Sequence, residues 1–307
     1  MTQSGCARSA PLLPVEGVRI VARMDSGCRV GSALQGFGTV MPVSQWGREA
    51  SEGVGVYPWA EILAGGVSDA ARAADLAHFG LRLAVVPVGA RAPVRTTDAW
   101  MCSALRHREK VQSMLEAEGI RVLPAVLLSE DTLPERWHGD LFTRLVDVSP
   151  KGLVVLRAGR AQPGKWVEEA VGACCRVQGR LVLEVGGADP LPVLRNVVPR
   201  LLEAGMAPER VVAGGFDWRT RRFFEGQRIL GMMQVGGSGR RPADLVEFVR
   251  SLGPSMLSRV VAATGSEAGM RVLAVPRLVE LLLADGVSTE VTGALAGGTL
   301  QRFLGID

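Results

Sequence analysis

The sequence predicts an α/β fold in which parallel strands and crossover helices alternate and close into one (β/α)8 barrel. Three observations point there. Short β-branched runs ended by turn residues recur along the chain, and the segments between them carry helical periodicity. At 307 residues, with 47% hydrophobic and 21% charged positions, the chain can also fill one large barrel core. No linker, low-complexity stretch or shift in composition marks a second domain.

Taken in order, residues 1–16 read as an untethered tail, which leaves 17–307 as the barrel domain. The strand candidates are Val18–Met24, Thr39–Gln45, Leu81–Val88, Arg121–Leu128, Leu153–Arg157, Leu181–Val185, Val211–Gly215, Gly231–Val235 and Arg259–Thr264. These exceed the eight that a barrel needs, so Leu81–Val88 or Arg121–Leu128 is expected to be an addition near 90–140, outside the closed barrel, or no strand at all. Among the helices, Pro190–Ala204 sets Leu191, Leu194, Val198, Leu201 and Leu202 at helical spacing and stops at Gly205. The same grammar recurs in Asp244–Leu252 before Gly253-Pro254 and in Val275–Ala284 before Asp285-Gly286. The amphipathic Val291–Leu304 is expected to close the barrel's base.

Composition narrows the function. The net charge of +4 is scattered, and the densest basic run, Trp218-Arg219-Thr220-Arg221-Arg222, is short and soon broken by acids, so a nucleic-acid partner is not expected. Five cysteines without CxxC spacing read as free thiols rather than a zinc cluster. Without a signal-type apolar segment or a run near ~20 apolar residues, a cytoplasmic chain with no membrane insertion is expected. Ser44, Ser129 and Ser266 have no histidine base nearby in the sequence, and no G-x-S-x-G elbow occurs, which argues against a serine hydrolase.

Three stretches carry a family resemblance: Glu203-Ala204-Gly205-Met206-Ala207-Pro208-Glu209-Arg210-Val211-Val212, the run from Val260 to Gly269 with Leu273-Ala274-Val275-Pro276-Arg277, and Leu300 to Gly305. In these, and in the order of its segments, the chain resembles the TatD-like branch of the amidohydrolase-type TIM barrels. The resemblance implies a metal site built from a His-x-His after the first strand, a Glu after the fourth, single histidines after the fifth and sixth, and an Asp after the eighth. By strand order those positions fall on Val21-Ala22-Arg23, Ala158, Glu184, Gly215 and Glu267, where only the last keeps an acid in an acid's place. With His78, His107 and His138 as the chain's histidines and none at a strand's C-terminal end, no metal and no other cofactor is expected.

Barrels of this kind place chemistry at the C-terminal mouth of their strands. The catalytic candidates there are Glu184 and Glu267 as proton-transfer groups, Arg23 and Arg157 as charge stabilisers, and Asp25 and Asp217 beside them. Trp46, Phe216, Trp218 and Met233 are candidates for an apolar pocket, and Gly237, Ser238 and Arg240, in the glycine-rich loop after the seventh strand, for anion binding. The expected function is metal-independent isomerase, cyclase or lyase chemistry on a largely apolar small molecule, as in secondary metabolism. Two alternatives stand beside it: a non-catalytic pseudohydrolase that binds a metabolite or protein, and a residual hydrolase. Association into a homo-oligomer stays open.

Overall fold

The computed structural model describes residues 12–15, 18–21, 59–63, 70–90, 93–129, 131–133, 144–159, 166–185, 189–236, 241–264 and 274–306. Strands β1 (Leu12–Val15) and β2 (Val18–Val21) pair antiparallel as a separate hairpin. Eight strands then form one parallel sheet in chain order: β3 (Trp59–Ile62), β4 (Leu81–Val88), β5 (Arg121–Ser129), β6 (Leu153–Ala158), β7 (Arg180–Val185), β8 (Val211–Gly214), β9 (Leu230–Val235) and β10 (Val260–Thr264). Each pairs in parallel with the next, and β10 comes back beside β3, so the sheet wraps into a nearly closed barrel.

This arrangement changes the expected strand count at its start. Both Leu81–Val88 and Arg121–Ser129 are barrel strands, the second and third. The first is Trp59–Ile62, a run that the sequence hides because Glu61 interrupts its apolar character. Val18–Val21 is not a barrel strand; its Val-Arg-Ile-Val alternation suits a hairpin equally well. Leu12–Val15 likewise lies in a strand rather than a free tail, and the hairpin rests against the C-terminal helices. The strand expected at Thr39–Gln45 lies outside the described residues. With β3 as the first strand, the expected His-x-His position moves from Val21-Ala22-Arg23 to the end of Trp59–Ile62, which also lacks histidine.

Helices cover the outer surface: α1 (Ala70–Phe79), α2 (Thr97–Glu116), α3 (Leu145–Val148), α4 (Trp166–Arg176), α5 (Leu191–Glu203), α6 (Arg221–Gly226), α7 (Pro242–Ser251), α8 (Pro254–Leu257) and α9 (Ala274–Ala284). Strand alternation divides the buried residues into two cores. The inner core holds Ala60, Ile62, Leu83, Val85, Leu123, Ala125, Leu153, Val155, Val182, Val212, Met232, Val261 and Ala263. The outer core joins the opposite strand faces to the helices, through residues such as Leu156, Leu183, Ala213, Phe216 and Met233.

The base is closed as expected. After α10 (Thr289–Gly293), a π-helical turn, Ala294–Gly298, packs against both β3 and β10, and α11 (Thr299–Leu304) sends Leu300, Phe303 and Leu304 into the inner core. Gly297 has φ 134°, and a Cβ there would lie 2.7 Å from Ala60, so only glycine allows this close approach to the first strand.

Candidate functional site at the barrel mouth

Because Leu153 and Val155 face the interior, alternation carries Arg157 onto the same face, while Ala158 belongs to the outer core. On the next strand Val182 faces in and so does Glu184. The register places Ser129 beside Arg157 and Arg157 beside Glu184, giving one polar rung across β5, β6 and β7. Gly214 extends that rung on β8 without a side chain, and Gln234 ends the inward row of Leu230 and Met232 on β9. Below this level the described inward positions are almost entirely aliphatic, so the polar residues gather at the mouth.

Arg157 Nε donates to Glu184 Oε2 at 2.8 Å. The two partners differ in access: the Arg157 side chain is 40% exposed and that of Glu184 only 6%. Glu184 Oε1 is buried and has no hydrogen-bond partner among the described residues. Burial raises the Glu184 pKa above the ordinary carboxylate range, and the adjacent Arg157 charge and hydrogen bond hold back part of that rise. On the other side of Glu184, a Cβ at Gly214 would lie 3.3 Å from Met232 Cε, so apolar volume approaches where a side chain is missing.

The remaining expected site residues have different places. Asp217 is part of a turn: its Oδ1 accepts from the Arg219 and Thr220 amides at 2.8 and 3.0 Å and from Thr220 Oγ1 at 3.2 Å. Its carboxylate thus organises the connection into α6. Phe216 is fully buried in the outer core, edge-on to Phe224 at 5.1 Å and tilted against Phe248 at 5.2 Å, so it does not line the interior. Met233 is an outer-core residue too, and Met232 is the neighbour that faces in. Trp218 is 52% exposed and leans on Phe248 at 4.8 Å. Arg23, Asp25, Trp46, Gly237, Ser238, Arg240 and Glu267 lie outside the described residues.

Sequence reasoning missed three contributors. Ser129 and Gln234 are visible as the last inward polar residues of apolar strands, once the register is known. Glu61 is the third, and it occupies the opposite face: Ala60 and Ile62 point inward, so Glu61 points out, toward the seam between β3 and β10. It is fully buried, and Trp59 Nε1 donates to its Oε2 at 2.7 Å. Burial pushes its carboxyl up to about 7 against the opposing effects of Trp59, Thr264 and Arg72.

Two of the three histidines sit on outer helices, His78 on α1 and His107 on α2. Among the described residues no group of three histidines, cysteines or carboxylates gathers in metal-binding proximity. No described helix is long and apolar enough to cross a membrane.

No family model matches the chain, and no curated protein matches it. Solved structures do. A TatD-like protein from Archaeoglobus fulgidus superposes with a TM-score of 0.63 at 12% identity, over 81% of this chain and all of that one. Enamidase, a member of the amidohydrolase superfamily, gives 0.54 at 12% identity over 80% of this chain and 67% of its own. A 2,6-dihydroxybenzoate decarboxylase gives 0.51 at 11% identity over 81% of this chain and 99% of its own. At such identities the likeness is one of fold, and the chain is a TIM barrel of the architecture seen in TatD-like and amidohydrolase-type proteins.

Proposed function

We propose that this barrel is an enzyme acting on a small, largely apolar molecule by metal-independent proton transfer of the isomerase, cyclase or lyase type, with Glu184 as the acid or base. The observation that carries this reading is the asymmetry of the Glu184 carboxylate. Arg157 holds Oε2, while Oε1 is buried at the mouth without a partner among the described residues. An unpaired buried acceptor costs about 1–3 kcal/mol, and Glu61 Oε1 bears that cost inside the packed outer face; at the mouth the open oxygen lies instead beside an arginine that reaches solvent, which gives it a route to a ligand. An oxygen left open beside a fixed one suits a group that exchanges a proton with a ligand.

Arg157 orients the carboxylate and, being partly exposed, offers positive charge to an oxyanion that develops on the substrate. Ser129 and Gln234 supply neutral polar contacts from the flanking strands, and the aliphatic wall formed by Val155, Val182 and Met232 favours an apolar body. The donors described at this mouth do not fit the fold family's metal centre. The inward carboxylate of Glu184 already bonds a guanidinium, that of Asp217 ties its own turn, and no described strand end supplies an imidazole. No step is therefore routed through a metal.

The test is solvent-deuterium exchange. The protein is incubated in D2O with a panel of small apolar ketones, esters and carboxylic acids, and each compound is followed by mass spectrometry. Deuterium should enter at least one class with the native chain and not with Glu184→Gln. Exchange that persists in Glu184→Gln, or none with any compound shown to bind, contradicts the proposal; binding without exchange would identify a non-catalytic pocket.

A further inference from the structure

At the base of the barrel, opposite the mouth, the strand starts are basic. Arg121 opens β5, Lys151 stands two residues before β6, Arg180 opens β7, Arg210 immediately precedes β8, Arg228 stands two before β9 and Arg259 immediately precedes β10. Each precedes by two residues the lowest inward aliphatic side chain of its strand: Leu123, Leu153, Val182, Val212, Leu230 and Val261. Six neighbouring strands thus surround the apolar floor of Leu300, Phe303 and Leu304 with positive charge.

One member is internally satisfied: Arg259 donates to the Gln227 and Ser255 carbonyls. Arg180 and Arg210 are not. They directly precede Leu181 and Val211, which are partners in the β7–β8 register, so two half-buried guanidinium groups stand side by side where an opposite charge would be favourable. Burial first, and then the Arg210 charge, lower the Arg180 pKa from its usual value. Among the described residues neither arginine has an ion pair, although the exposed Glu203 and Glu209 lie close by in sequence. The backbone leaves room for Arg180 as well: Gly305 has φ 61°, and a Cβ on it would lie 2.8 Å from Arg180 Nη2.

We propose that this base is a second binding site, centred on Arg180 and Arg210 and flanked by Lys151 and Arg228, for a compact oligophosphate anion. Two arginines at the starts of neighbouring strands, whose backbones run about 4.8 Å apart, suit the bidentate and bridging contacts of linked phosphates better than a single carboxylate. An anion with several charges would also remove the repulsion between the two arginines. The site does not depend on the chemistry at the mouth.

Isothermal titration of the full chain with inorganic tripolyphosphate at low ionic strength tests this. The native chain should bind saturably, with affinity falling about tenfold or more in Arg180→Gln and in Arg210→Gln. Gly305→Ala should weaken binding by crowding Arg180, while Arg241→Gln, on a remote exposed arginine, and Glu184→Gln should leave it unchanged. Arg180→Lys, which keeps the charge, should retain part of the affinity and guards against a folding defect. Absence of saturable binding by the native chain overturns the proposal. So does equal affinity in the two glutamine variants, or capture by anionic vesicles or duplex DNA with no affinity for tripolyphosphate.

Discussion

Glu61 and Glu184 are both carboxylates buried in the wall of one barrel, yet they face opposite ways. Glu184 points into the mouth, shares a rung with an arginine that reaches solvent, and keeps one oxygen open. Glu61 points out into the seam between the first and last strands; Trp59 holds its Oε2, and its Oε1, like that of Glu184, is buried without a hydrogen-bond partner among the described residues, but it lies in the packed outer face rather than at the mouth. Burial raises both, so a raised carboxylate alone does not identify an active site; what distinguishes the two is the route to a ligand. The outer face of this wall is packing, and the inner face at the strand ends carries the polar chemistry.

The largest effect expected from that contrast concerns an aromatic residue. Phe216→Ala empties a packed position between β8 and the covering helices and should destabilise the fold by about 4 kcal/mol, measured by denaturant unfolding. If Phe216 lined a substrate pocket instead, its removal would alter ligand binding with little change in stability.

Glu61→Gln gives the next effect, and it depends on pH. The folded chain holds the Glu61 proton up to about 7 against an ordinary value of 4.5. Its stability is therefore whole below about 4.5 and declines as pH rises through 7, where the buried carboxylate must ionise. The amide keeps an oxygen for Trp59 and offers an N–H toward Thr264, which adjoins the same carboxyl group. Melting curves should show the variant close to the native chain at low pH and more stable by about 3 kcal/mol at high pH. A constant difference at all pH values would mean that Glu61 is not protonated in the fold.

Glu184→Gln should change stability by no more than about 1 kcal/mol, because Arg157 is substantially exposed and readily solvated. Its effect should fall on ligand exchange. Trp218→Ala is the smallest change, about 0.5 kcal/mol or less, since the ring rests on Phe248 from an exposed position; a larger loss would show that the rim aromatic is part of the core.

The barrel was legible because seven of its eight strands are β-branched runs with clear stops, and Val291–Leu304 announced the closed base through its amphipathic pattern. Trp59–Ile62 escaped because a buried outward glutamate at a seam looks like a surface residue. At the mouth, Arg157 and Glu184 could be paired from strand order alone. Met233 was misplaced by one residue of alternation, which turns a side chain from one face of a sheet to the other, whereas Phe216 lies beyond its strand, where the chain turns at Gly215 with φ 80° and alternation no longer sets its direction. Asp217 shows a different limit: a carboxylate just past a strand end reads alike whether it meets a ligand or ties the next turn.

The most direct test of the mouth assignment is a carboxyl 13C NMR titration of Glu184, in the native chain and in Arg157→Gln. The expected result is an apparent pKa above the ordinary carboxylate range in the native chain, rising further when the guanidinium is removed. An ordinary value that does not move with Arg157→Gln would contradict the account, because Glu184 would then be neither buried nor coupled to Arg157 at the barrel mouth.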